Sequence, residues 1–186
     1  TLMNNTFLRI GIHFDICEFH YIDNYHYNDL NDDAINDQSD WMKNNIELKD
    51  LLSKYYVLNN LNLYFVENIM NNPDQEQGIA YTPDDSMDVI IMKKKASNDS
   101  YFHQFGHYFG LYHTFETKFG NEPVSRELFT SGVPACEETG DLLCDTYADP
   151  YNGYPAIRLD TFNILNPDQC QYIDNKTDSY NQSYLP

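Results

Sequence analysis

The chain has 186 residues, 41% of them hydrophobic and 22% charged, and its 29 acidic against 11 basic residues give a formal net charge of −18. That length suits one domain with a real core. So acidic a surface repels phosphate backbones and anionic lipid, which argues against nucleic acid and membrane surfaces as partners. No apolar run approaches the roughly 20 residues that span a bilayer, and an aromatic content of 15% is too high for a disordered acidic tail. The sequence starts at Thr1 with neither an initiator Met nor a basic-then-apolar leader, which reads as a mature or excised domain.

In chain order, residues 6–16 (TFLRIGIHFDI) place apolar side chains at 8, 10, 12, 14 and 16, a period of two that predicts a half-buried strand. Residues 18–40 are polar and Asn/Asp-rich, a loop grading into a helix. From 40 to 57, Trp41, Met42, Ile46, Leu48, Leu51, Leu52, Tyr55 and Tyr56 fall near helical spacing, with Ser39 or Asp40 as N-cap and Asn59-Asn60 as the stop. Residues 61–66 (LNLYFV) and 87–92 (MDVIIM) predict two further strands. Residues 78–82 (GIAYT), bounded by Gly78 and Pro83, suit an edge strand. Lys93-Lys94-Lys95 reads as a solvated turn. The order strand, helix, three strands and a second helix is a mixed α/β (α+β) layer arrangement. From Gly120 onward Gly, Pro, Asp, Asn and Tyr dominate, and such a loop-rich region needs a disulfide or a metal to stay compact. Four cysteines (Cys17, Cys136, Cys144, Cys170) without a C-x-x-C pair favour disulfides in an exported protein over a zinc ribbon.

One segment carries chemistry, HQFGHYFGLYH at 103–113. On a helix His103 and His107 project from one face, so both imidazoles reach one ion at about 2.0–2.1 Å. Gly110 ends the helix through a positive φ, and the turn returns His113 as a third nitrogen. Three neutral imidazoles leave one coordination position for water, the arrangement of a catalytic zinc. A histidine on an apolar helix face is ordinarily a core residue, but three His and one Gly at these offsets arise by chance on the order of 10⁻⁴ per chain. In the H-E-x-x-H peptidase motif the Glu shuttles the proton of the bound water. That position here is Gln104, whose carboxamide has no basic lone pair near neutral pH. Gln is also the nearest isostere of Glu and the replacement an experimenter would choose, which favours an engineered substitution over a natural pseudoenzyme.

The segment resembles the extended metzincin motif H-E-x-x-H-x-x-G-x-x-H at every defined position except Gln104. The continuation His113-Thr114-Phe115-Glu116 and the later GDLLCDT at 140–146 resemble the pappalysin branch of that clan. The resemblance implies a secreted zinc endopeptidase in one metallopeptidase domain over 1–186, with a sheet-and-helix part to 113 and a loop-rich part from 114. It implies His103, His107 and His113 as zinc ligands and position 104 as the general base. A twisted mixed sheet would carry an edge strand over the cleft, Gly78, Ile79, Ala80, Tyr81 and Thr82, pairing with an extended substrate. It further implies calcium in the later loop, with Asp141 and Thr146 as side-chain donors and Asp145 as a third or merely solvated. The family's Pro after D-T is Tyr147, which also defeats an aspartic-peptidase D-T-G reading. Partners would be a protein or peptide substrate and, where present, an inhibitory propeptide.

Metzincins also carry a Met-containing turn after the third histidine, yet Met3, Met42, Met70, Met87 and Met92 all precede His113. The expectation is that this turn sits beyond Pro186 or elsewhere. Cys136–Cys170 is the expected disulfide, with Cys17 and Cys144 open. Two rival readings stand beside the enzyme. One is a non-catalytic zinc- and calcium-binding module that captures peptides, and the other an acidic structural domain whose histidines are incidental.

Overall fold

Of the 186 residues, the computed structural model describes 2–30, 44–69, 77–81, 88–126, 131–149, 165–166, 171–172 and 177–184. The chain divides into two compact units, Thr1–Gly110 and Leu111–Pro186.

In the first unit, α1 (Leu2–Phe7) leads into a 3₁₀ turn at Leu8–Ile10, and β1 (Asp29–Leu30) follows a second 3₁₀ turn at Tyr25–Asn28. Then come α2 (Ile46–Tyr55), β2 (Asn62–Val66), β3 (Asn68–Ile69), β4 (Gly78–Ala80), β5 (Val89–Lys93) and α3 (Asn98–Tyr108). β5 is the centre of a three-stranded sheet, parallel to β2 and antiparallel to β4. All five β5 residues are buried, as a near-continuous apolar strand covered on both faces should be. Val89 and Ile91 join Leu48, Leu51 and Leu52 of α2 in one core, while Ile90 and Met92 join Phe105 of α3 in the other. The period of two thus sends alternate β5 side chains to two different helices. β1 and β3 form a separate parallel pair.

α2 begins where Asn45, wholly buried, accepts the Leu48 amide at 2.7 Å. Asn45 is therefore the N-cap, and the expected caps Ser39 and Asp40 lie outside the described residues. Leu48, Leu51 and Leu52 repeat at three and four, the helical half of the expected pattern. β2, β4 and β5 fall on the three expected strand segments, although Met87 and Thr82 lie outside the described residues. Lys93 corrects the reading of the triplet as a solvated turn, because it is the last residue of β5 and only 7% exposed.

The expected strand over 6–16 does not form. Gly11 takes φ +79°, turning the chain. The Asn4 side chain then claims both backbone hydrogen-bonding groups of Phe14, donating to its oxygen at 2.9 Å and accepting from its nitrogen at 2.8 Å. Those are the groups a sheet ladder would need. Phe7 and Phe14 instead pack edge-on to each other at 5.4 Å, and both meet Phe105 and Phe109 of the α3 end. Aromatic packing against a helix overrides a period of two that suits either partner.

The described residues of the second unit are mostly loop. Its described elements are a 3₁₀ turn at Ala135–Glu137 and an antiparallel pair, β6 (Leu165–Asn166) with β7 (Gln171–Tyr172). The expected Cys136–Cys170 disulfide is replaced by Cys136–Cys144, with Cα atoms 5.0 Å apart. Gly140 at φ +65° and Leu142 at φ +63° fold the intervening chain back on itself, which brings the nearer cysteine into bonding range. Cys170 lies outside the described residues, and Cys17 is free and exposed.

Asp178 organises the end of this unit. It is 8% exposed, and its carboxylate accepts the amides of Val124, Tyr180 and Gln182, each at 2.9 Å. Burial pushes this carboxyl up, but the amides of Gln182, Val124 and Tyr180 together outweigh burial and hold it below the ordinary value. Asp178→Ala is expected to cost about 3 kcal/mol in urea unfolding, because it strands three amides. The lowered pKa means that the contribution is full above the ordinary carboxylate range and is lost as pH falls through the folded value. Native and Asp178→Ala chains should therefore converge in stability on strong acidification.

Candidate metal centre

The helix that carries the first two histidines is set locally. Ser97 caps it by accepting the Ser100 amide at 3.2 Å, and Asp99 lies in its first turn, where a negative charge suits the helix dipole. Phe105 fixes its rotation by burying itself against the sheet. That rotation leaves His103 exposed and His107 half-buried, one turn apart. Their rings stand at 88° with Nε2 atoms 3.0 Å apart. Two nitrogens on one tetrahedral zinc at 2.0–2.1 Å would be separated by about 3.3 Å, so the spacing fits joint ligation with little movement. It also fits a hydrogen bond between neutral imidazoles, and the third donor separates the two readings.

α3 ends at Tyr108. The Phe109 amide still bonds to Phe105 and the Gly110 amide to His107, and Gly110 takes φ +86°. Only a residue tolerant of the left-handed region ends a helix this way without strain. One ring nitrogen from each of His103, His107 and His113 lies within 4.8 Å of the others. Among the described residues this is the group of three His, Cys, Asp or Glu side chains so arranged. The His113 ring stacks on Phe115 at 4.8 Å and 8°, which holds its plane. A hydrogen bond needs two imidazoles, whereas three converging nitrogens are the donor set of an imidazole-preferring metal such as zinc.

Gln104, next to the first ligand, is 8% exposed, and its Oε1 has no hydrogen-bond partner among the described residues. An orphaned buried oxygen is costly and is retained where a further group satisfies it. The side chain accepts or donates a hydrogen bond but cannot take a proton.

The expected calcium donors Asp141 and Thr146 are brought together by the fold. Asp141 is buried, but its Oδ1 accepts the Leu143 amide at 3.0 Å and its Oδ2 the Thr146 hydroxyl at 2.8 Å. Thr146 Oγ1 also lies 3.1 Å from the Leu143 carbonyl, and Asp145 is exposed. The Cys144 carbonyl accepts from the Arg126 guanidinium. Carboxylate, hydroxyl and carbonyl are thus already partnered within the protein. Asp149 bonds the Thr114 hydroxyl at 2.7 Å, and its pKa is raised, by burial first and then by the nearby Asp141 charge, with Thr114 opposing.

Of the expected substrate rim, Gly78, Ile79 and Ala80 form β4 and Tyr81 continues it. The backbone bonds Lys93 N to Gln77 O and Tyr81 N to Val89 O, both at 2.9 Å, mark the residues facing β5. Antiparallel pairing alternates, so Ile79 also faces β5 while Gly78 and Ala80 turn their amides and carbonyls to the outer edge. A Cβ on Gly78 would meet Met92 Sδ at 2.3 Å and the Ile91 carbonyl oxygen at 3.0 Å, so a larger residue there would have to displace the buried Met92 side chain.

The residues that the sequence did not disclose are Glu122 and Arg126, whose one signal was opposite charge at a spacing of four. Comparison with family models, curated proteins and solved structures returns no match.

Proposed function

We propose that the chain is a zinc endopeptidase domain of the metzincin type, pappalysin-like, acting on extracellular protein or peptide substrates. The observation that carries this reading is the convergence of three imidazole nitrogens within 4.8 Å where a helix ends at a left-handed glycine. Among the described residues of the first unit, a mixed three-stranded sheet with an antiparallel edge strand accompanies α3, which is the layout such a site needs.

His103, His107 and His113 would hold zinc, leaving one position for water or a substrate carbonyl. Bound there, zinc would polarise the scissile carbonyl and acidify its water. The outward amides and carbonyls of Gly78 and Ala80 would pair with an extended peptide as an added strand, a mode that reads backbone and tolerates many side chains. Gln104 would orient the water or carbonyl by hydrogen bonding, with its orphaned Oε1 as the acceptor. It would not take the proton, so this chain binds peptide and turns it over slowly. The same orphaned, non-basic oxygen favours a second reading, a pseudopeptidase that captures peptides without cutting them.

Zinc titration of the metal-free chain at neutral pH tests the shared premise. One zinc per chain, retained against a weak chelator, is the expected result. A chain that takes up none would overturn both readings and favour an acidic structural domain.

A further inference from the structure

In the second unit an ion pair between a buried carboxylate and a half-buried guanidinium sits where the resemblance leads one to expect a divalent ion. Glu122 is 2% exposed, and neither carboxylate oxygen has a hydrogen-bond partner among the described residues. Its contact is ionic, Arg126 Nη2 at 3.1 Å from Oε1. The same guanidinium donates through Nη1 to the carbonyl of Cys144, one end of the disulfide. The loop between the cysteines is packed directly on this pair. A Cβ on Gly140 would come within 2.8 Å of Glu122 Cβ and 3.0 Å of its Oε2, and the Gly140 amide bonds to the Gly120 carbonyl at 3.0 Å. Burial holds the Glu122 carboxyl above its ordinary value, the Arg126 charge opposes that rise, and the nearby Asp141 charge adds to it. Arg126 accepts an unusual backbone, φ +49°, to reach this place.

We propose that the Arg126 guanidinium is the built-in cation of the 140–146 loop, clamping Glu122 to the Cys144 carbonyl and taking over the role a calcium ion would have there. A fork of N–H donors suits this better than Lys, because one cation must reach a carboxylate on one side and a carbonyl on the other. The loop then closes on its own donors, with Asp141 satisfied by Leu143 and Thr146. The metal requirement of the chain is left to the histidines, and this inference stands independently of the zinc reading.

Amide hydrogen exchange of residues 137–146, together with thermal melts, tests it in the native chain, Arg126→Met and Arg126→Lys. The native chain should exchange and melt alike in excess EGTA and in millimolar Ca²⁺, with a shift under about 2 °C. Arg126→Met should exchange about tenfold faster in this segment and be partly protected by Ca²⁺, and Arg126→Lys should fall between. A native chain that loses protection in EGTA would overturn the proposal, even if Arg126→Met fails to fold. So would Arg126→Met exchanging at the native rate, or gaining nothing from Ca²⁺.

Discussion

Gln104→Glu is expected to raise zinc-dependent protein hydrolysis by about 10²–10⁴-fold, the usual worth of a positioned general base. The substitution is isosteric, so the helix and the rings at 103 and 107 stay where they are. What changes is that a carboxylate takes a proton where a carboxamide cannot. The position is 8% exposed, and burial pushes a carboxyl up toward neutrality, where a base that must both accept and return a proton works best. Cleavage of an unfolded protein, with and without chelator, is the measurement. Zinc-loaded Gln104→Glu without chelator-sensitive cleavage would remove the endopeptidase reading while leaving zinc binding and peptide capture intact.

His107→Ala is expected to weaken zinc binding by about 10²–10³-fold. Site energies of about 10–16 kcal/mol over four ligands put each donor near 2.5–4 kcal/mol, and each 1.36 kcal/mol is a factor of ten. Alanine is a good helix former, so α3 persists and the loss reads on the metal. Competition with a chromophoric chelator measures it, with His26→Ala, whose ring packs on Tyr25 at 4.0 Å, as the control. Equal affinity of native and His107→Ala chains would show that the zinc is held elsewhere.

The histidine spacing was legible because it is local. Four residues on a helix and a glycine three further on fix three rings through backbone geometry, with no distant contact needed. β5 was legible for a related reason, since a strand buried on both faces must be apolar throughout. The stretch 6–16 was not, because a period of two fits a strand and fits equally a chain whose Phe7 and Phe14 pack on a helix nearly a hundred residues away. Asn4 settles that competition, and nothing in its own neighbourhood announces it. β1 and β3 are two residues each, too short to leave a pattern.

The sequence by itself determined the three histidines and the glycine at 103–113, the non-basic carboxamide at 104 and the acidic, Gly-, Pro- and Asn-rich composition of the second unit, all of which follow from residue type and short spacing. The tertiary structure alone decided that Cys136 bonds Cys144, that Gly78 and Ala80 rather than their neighbours turn their backbone groups away from β5, and that Arg126 reaches Glu122 and Cys144 together. Those outcomes depend on turns at Gly140 and Leu142, on strand register and on burial. Each is set by contacts between residues far apart in the chain or by left-handed backbone whose direction residue type does not encode.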